Sequence, residues 1–431
     1  MGRTRLPRPP RIVRDGIWIA LGQGAVALAG LVGVRVRNTL QPPAEYGEVT
    51  LLTGLGTLGY GLLLFPFLQT ALRFYPDARD AGEVAALRGM TAHDLRRGGA
   101  GVAAMLLAAG AVSAGFDLGL SMAGCLAVLA FVVADTWRVF ESNLLNADRR
   151  QRDFTLRTAL DAWARPMAGA ALAWGIARQA VPVVAGFAGG SALVSVALLG
   201  RTVRGAEGAE PWRHSGWARS RRPAFLRYAL PLVPLAALNW AMATGQRYLL
   251  AGLWNVEITG IYAAAFGLGS QPFLAANTLL QTTLRPVLYD AVSRGDVDKE
   301  RRTLRLWYGL MLGIVVLGVV LLVILARPIC ALLLGDGYQG AAALLPWIGA
   351  AYGVQALQFT SEAILYAHGD TRRLSTVQAA GAAASVVLYL ALIPRYSAQG
   401  AAMATLGAFL VSAVLAFVFA GASRRLGLRG V

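Results

Sequence analysis

The chain has 431 residues, of which 56% are hydrophobic and only 15% charged, with a mean hydropathy of +0.54. Soluble domains carry about 25% charged residues, so the composition excludes a soluble globular protein. The net charge of +17 would suggest nucleic acid in a soluble domain, but arginine gathered on one side of a membrane explains it, and no nucleic-acid partner is expected.

The N-terminal stretch MGRTRLPRPPRIVRDG carries five arginines ahead of an apolar run, with no small-residue cleavage site. It reads as the cytoplasmic start of a retained first span rather than a cleaved signal peptide. Apolar runs of about 17–25 residues are long enough to cross a bilayer as helices. Lipid forces such segments to satisfy their backbone internally. Twelve spans are expected, near 16–36, 48–72, 98–116, 120–142, 157–177, 181–200, 227–252, 259–284, 304–326, 342–366, 374–393 and 399–421. The ninth contains Met311–Ala326, MLGIVVLGVVLLVILA, without a charge or a proline.

The arginines test this count. With a cytoplasmic N-terminus and alternating loops, 32 of the 40 basic residues fall on the cytoplasmic side. Five fall opposite, at Arg35, Arg37, Arg178, Arg327 and Arg395. That asymmetry is the positive-inside pattern, and it places both termini in the cytoplasm. Arg138, Arg165 and Arg247 remain within spans. Cys125 and Cys330 stand in separate apolar stretches and read as buried free thiols.

A repeat is visible at nearly half the chain length. LQPPAEYGEVTLLTGLG (40–56) aligns with LWNVEITGIYAAAFGLG (253–269) at an offset of 213, so that Leu40 meets Leu253 and Gly47 meets Gly260. Gly54-Leu55-Gly56 meets Gly267-Leu268-Gly269. A weaker echo pairs 181–198 with 393–410 across a one-residue gap. Two six-helix lobes of the same orientation follow, residues 1–200 and 227–431, related by an axis along the membrane normal. The basic segment 201–226 links them on the cytoplasmic side.

Catalytic chemistry is missing. The one lysine, Lys299, lies between Asp298 and Glu300, so there is no Walker A loop. Gly54-x-Gly56-x-x-Gly59 matches a dinucleotide fingerprint by letters but lies in a span with no strand before it. His93, His214 and His368 fall in loops without metal-ligand spacing. No catalytic residue, metal or cofactor is expected, and the chain does not read as an enzyme.

Charges at membrane depth are present instead. Each costs about 2.5–3.5 kcal/mol at a span centre on insertion scales, so such residues face a cavity or each other. Asp135, Arg138 and Glu141 are spaced i, i+3, i+6 in span 4, and Asp161 and Arg165 i, i+4 in span 5. Mutual neutralisation and the lining of a pathway both fit these spacings. Glu362, one turn inside span 10, has no charged neighbour in its own helix; an interface residue and a proton- or cation-linked site both fit. Arg35 and Arg37 end span 1, where snorkelling competes with a role in a lumen. Arg247 sits in ALNWAMATGQRYLLAGLW (237–254), beside Asn239, Thr244, Gly245 and Gln246. A guanidinium in so small and polar a stretch suits an anion, whose oxygens it meets with paired donors.

Four stretches carry a family resemblance. PPAEYGEVTLL contains a Pro-Glu-Tyr-Gly-like signature. NWAMATGQRYLLAGLWNVEITGIYAAAFGLG covers spans 7–8, CALLLGDGYQGAAALLPWIGAAY carries a Leu-x-Gly-x-x-Tyr element before span 10, and IPRYSAQGAAMATLGAFLV forms the span 11–12 corner. Their order and spacing resemble the polysaccharide-biosynthesis (Wzx-like) flippases of the multidrug/oligosaccharidyl-lipid/polysaccharide exporter superfamily, over nearly the whole chain. Arg37, Glu45, Tyr46, Gly47, Arg247, Tyr248, Gly260 and Tyr262 match family-typical positions. Gln246 departs from the pattern, since members often carry an acid just before the span 7 arginine.

The resemblance implies two six-helix lobes around a central cavity that opens alternately to either side of a bacterial cytoplasmic membrane. It implies a lipid-linked oligosaccharide substrate on a polyprenyl pyrophosphate carrier, within membrane lipid, beside a polymerase and other polysaccharide-assembly proteins. Arg35, Arg37, Asn239, Gln246 and Arg247 are then the candidate substrate contacts. Glu362, Asp135, Arg138, Asp161 and Arg165 are the candidates for coupling or gating. Two rivals stand: a multidrug exporter of the same superfamily, whose cavity should be dominated by acids, and a membrane scaffold of a polymer-synthesis complex that transports nothing.

Overall fold

The computed structural model describes residues 11–116, 120–201 and 212–427. Among these residues there is no strand, and thirteen α-helices follow one another. They are α1 (Arg11–Leu40), α2 (Pro43–Leu63), α3 (Phe65–Asp80), α4 (Val84–Phe116), α5 (Met122–Ala147), α6 (Gln151–Gly175), α7 (Ala180–Ala197), α8 (Gly216–Ala229), α9 (Leu232–Leu253), α10 (Val256–Ser293), α11 (Val297–Leu333), α12 (Leu345–Ala367) and α13 (Thr371–Gly427). Each of the twelve expected spans lies in or across these helices.

Among the described residues, six helices are long and apolar enough by themselves to cross a bilayer, and up to eight are if each of two bent pairs counts as one span. The protein is an integral membrane protein. One bent pair is α2 and α3, which meet at 46°. The bend has a local cause, because a proline stands at the first turn of α3 and cannot donate to the preceding turn. The expected loop between spans 11 and 12 contracts to a single break inside α13, where Ser397 takes φ 51°.

The chain forms two compact units. The first comprises Met1–Val36 and Leu52–Ala237, the second Arg37–Leu51 and Leu238–Val431. In the first, α6 and α7 pack closely enough for backbone to meet backbone. A side chain on Gly186 would strike Gly169, and one on Gly190 would strike Ala164. Small residues allow such approach where lipid supplies no hydrophobic drive between helices.

The described part of the basic segment, from Trp212 onward, also belongs to the first unit. Ser215 caps α8 by accepting from the Ala218 amide at 3.1 Å. Phe225 is fully buried against Phe74, ring centroids 5.7 Å apart. Arg222 grips Asp94 with both guanidinium nitrogens, Nη2 at 2.7 Å. Asp94 is 4% exposed, so the carboxylate and its arginine hold α8 onto α4.

In the second unit Leu288, Leu304, Trp307, Met311 and Ile364 share a core between α10, α11 and α12. The opposite face of α11 is different. Leu312, Val316, Val320 and Val323 form an exposed apolar stripe. A soluble protein does not expose contiguous apolar surface of that extent, whereas a lipid-facing helix must.

Candidate functional site

Arg247 projects from α9 in the second unit. Its guanidinium lies over the Phe266 ring, 4.6 Å from the centroid. Its Nε is buried without a hydrogen-bond partner, and no carboxylate pairs with it among the described residues. An aromatic series continues from Phe266. Tyr352 meets it edge-on at 5.2 Å, and Phe409 meets Tyr352 at 5.5 Å. Tyr262, one turn before Phe266, is fully buried. The cation therefore rests on the π-face of Phe266, worth about 0.5–2 kcal/mol, and its Nε keeps hydrogen-bonding capacity unused among the described residues.

Gln246 is 1% exposed. Its amide donates to the Ala243 carbonyl at 3.2 Å and reaches the Tyr262 hydroxyl at 3.5 Å, while its Oε1 has no partner among the described residues. Tyr248 donates to the Leu51 carbonyl at 2.6 Å and stacks obliquely on Trp240. Asn239 is exposed and lies two turns earlier on α9. Arg37 donates to the Tyr46 hydroxyl at 3.3 Å and lies 5.0 Å from that ring's centroid. Arg35 is half-buried in the first unit, whereas Arg37, Asn239, Gln246 and Arg247 belong to the second.

The intramembrane charges of α5 and α6 converge in the first unit. Arg138 binds Asp135 at 2.7 Å and Asp161 at 3.1 Å. Arg165 pairs with Asp161 and lies 3.7 Å from Asp135. Ser191 of α7 donates to Asp161 at 2.9 Å. Two acids and two bases thus close a balanced square between helices, with Asp161 only 2% exposed along its side chain. Glu141, which the spacing joined to Asp135 and Arg138, binds Arg88 of α4 instead, through both oxygens.

Glu362 lies in α12 of the second unit and is 4% exposed. Gln358 and Gln378 both donate to its Oε1, at 2.8 and 2.9 Å. It forms no ion pair among the described residues. Close by, Ser361 and Tyr308 share a 2.7 Å hydrogen bond.

None of the aromatic residues around Arg247 was a candidate in the sequence; Tyr262 was singled out only as a position typical of the family that the chain resembles. The i, i+4 spacing of Tyr262 and Phe266 on α10 was a signal. Tyr352 and Phe409 come from helices far along the chain and left none.

No family model matches the chain, and no curated protein matches it by sequence. Solved structures do match its fold. An inward-facing MATE-family multidrug resistance transporter of the MOP superfamily aligns at TM-score 0.72 and 12% identity, covering 97% of this chain and 99% of that one. A MOP superfamily transporter from Pyrococcus furiosus, described by the reversed polarity of its binding pocket and a suggested different function, aligns at 0.66 and 14%, covering 97% and 95%. The lipid II flippase MurJ, inward closed, aligns at 0.60 and 12%, covering 94% and 87%. The chain has the fold of the MOP-superfamily transporters.

Proposed function

We propose that this chain is a membrane transporter that flips a polyprenyl-pyrophosphate-linked oligosaccharide across a bacterial cytoplasmic membrane by alternating access, for cell-surface polysaccharide synthesis. The carrying observation is Arg247, a half-buried cation with no counter-ion among the described residues, whose buried Nε has no partner there. A guanidinium held on an aromatic face with free donors is suited to the oxygens of a pyrophosphate. Gln246, with an unpartnered carbonyl oxygen, supplies an acceptor for a sugar hydroxyl. The Pyrococcus furiosus neighbour, whose binding pocket of reversed polarity suggests a different function, is a precedent within this fold for such a pocket. MurJ is a precedent for a lipid-linked substrate.

In this reading Arg35 and Arg37 add positive charge along the substrate's path, and Asn239 contacts its polar part. The lobes 1–200 and 227–431 alternate, and the basic residues hold both termini in the cytoplasm. The Asp135, Arg138, Asp161 and Arg165 square acts as a charge-neutral gate element. Glu362 is the residue through which a cation gradient drives transport. A polymerase takes over the delivered substrate.

Glu362 also favours the rival, since a buried acid without a cation is what a multidrug exporter uses toward cationic drugs. One binding experiment separates the two. Purified protein in lipid nanodiscs is titrated with a polyprenyl pyrophosphate and, separately, with a lipophilic cation. Pyrophosphate binding weakened at least tenfold by Arg247→Ala supports the flippase. Cation binding lost in Glu362→Gln, with no pyrophosphate binding, moves the assignment to a drug exporter.

A further inference from the structure

Residues Arg37–Leu51 belong to the second unit, while the chain on either side of them belongs to the first. This hairpin, the end of α1 and the start of α2, has a well-formed seat. Tyr46, Val49 and Leu51 are buried. Tyr338 donates to the Gln41 carbonyl at 3.0 Å, and its ring meets Tyr46 edge-on at 6.1 Å. Tyr248 holds the Leu51 carbonyl at the far end of the hairpin.

Two side chains do not fit that picture. Asn38 is 5% exposed and Gln41 3%. In both, the amide nitrogen and the amide oxygen are buried with no hydrogen-bond partner among the described residues. About nine in ten buried polar groups in folded proteins have one. Four unmet atoms within one helical turn are therefore a concentrated exception. They are not needed to hold the helix end, because the Gln41 backbone amide already bonds the Arg37 carbonyl at 2.8 Å. Apolar side chains of similar size would fill the same space without losing hydration.

We propose that Asn38 and Gln41 are a built-in bias against the seated hairpin, which makes Arg37–Leu51 a detachable strap. Water satisfies both amides when the strap lifts, and the described residues offer them no partner when it is down. The seat is consequently weaker than its packing would make it, and the strap exchanges between the two positions. Leaving a buried donor or acceptor unmet forfeits its full hydration, whereas replacing it with an apolar group of the same shape can stabilise. This inference does not depend on what is transported.

The test is hydrogen–deuterium exchange of the full chain in lipid nanodiscs, with no substrate present. The Asn38→Leu/Gln41→Met variant should slow exchange of backbone amides in 37–51 by about tenfold or more, while amides of α5 and α6 exchange as in the wild type. Gln41→Met alone should give a smaller slowing in the same direction, which keeps the test decisive if the double variant folds poorly. Gln41→Glu should speed exchange, since a carboxylate is harder to bury. Unchanged or faster exchange in the apolar variants would overturn the proposal. It would mean that enclosed water already satisfies the amides in the seated state.

Discussion

Gly47 and Gly260 lie backbone to backbone, each in the space left by the side chain the other lacks. A Cβ built on Gly47 would strike the carbonyl oxygen of Val256, and one on Gly260 would strike the carbonyl oxygen of Pro43. Pro43 and Val256 are themselves 213 residues apart and open α2 and α10. The contact is therefore the same from either side, as at a two-fold interface. Gly47 and Gly260 are the pair that the expected offset of 213 aligns in the sequence.

Either glycine replaced by alanine should destabilise the protein by about 1–3 kcal/mol, the usual penalty of overpacking. The two losses should be similar, because the contact is reciprocal. Gly24 is the control: a methyl group there would meet nothing within 4 Å, and alanine should leave the melting temperature unchanged or raised. Thermal unfolding in detergent checks all three.

The square of Asp135, Arg138, Asp161 and Arg165 predicts strong coupling. Asp161→Ala leaves buried Arg138 and half-buried Arg165 each short of a partner and should cost about 3 kcal/mol, the low end for a broken buried pair. Removing Arg165 as well should recover part of that loss, so the double variant falls short of the sum of the singles. A double-mutant cycle in chemical or thermal unfolding measures it.

Asp370, in the turn between α12 and α13, gives a pH dependence. The Ser423 hydroxyl at 2.6 Å, followed by Arg373, holds its carboxyl below the usual aspartate value of 3.8. A depressed folded-state value means that the group stabilises the fold above its unfolded pKa and loses that contribution as pH falls through the folded one. Ser423→Ala should lower the melting temperature at neutral pH, and the gap from wild type should narrow below about pH 4. A melting series from pH 7 to 3 reads it.

The spans were legible because apolar runs of bilayer length have few other uses. Local pairs such as Asp161 with Arg165 were legible at helical spacing. What joins them was not. Arg138 reaches Asp161 on the next helix, and Glu141 finds Arg88, 53 residues away; tertiary packing alone sets such partners. The same holds for the aromatic series that continues from Phe266 under Arg247, since Phe266, Tyr352 and Phe409 come from three helices. The grouping of Arg37–Leu51 with the second unit was equally unreadable, because it depends on what Tyr338 and Tyr248 hold rather than on the hairpin's own sequence.

Glu362→Gln should leave the fold intact, because the amide oxygen can still accept from Gln358 and Gln378. If Glu362 carries the coupling ion, transport by this variant in proteoliposomes should no longer respond to an imposed proton or sodium gradient. A variant that keeps the wild-type gradient response would remove Glu362 from that role.

The most direct test concerns Arg247. Lipid-linked oligosaccharides are measured by mass spectrometry in cells depleted of this protein, with a probe for the leaflet they occupy. Accumulation on the inner leaflet, reversed by the wild type but not by Arg247→Ala at equal protein level, is the predicted result. Unchanged lipid-linked oligosaccharides together with new sensitivity to cationic drugs would contradict the account.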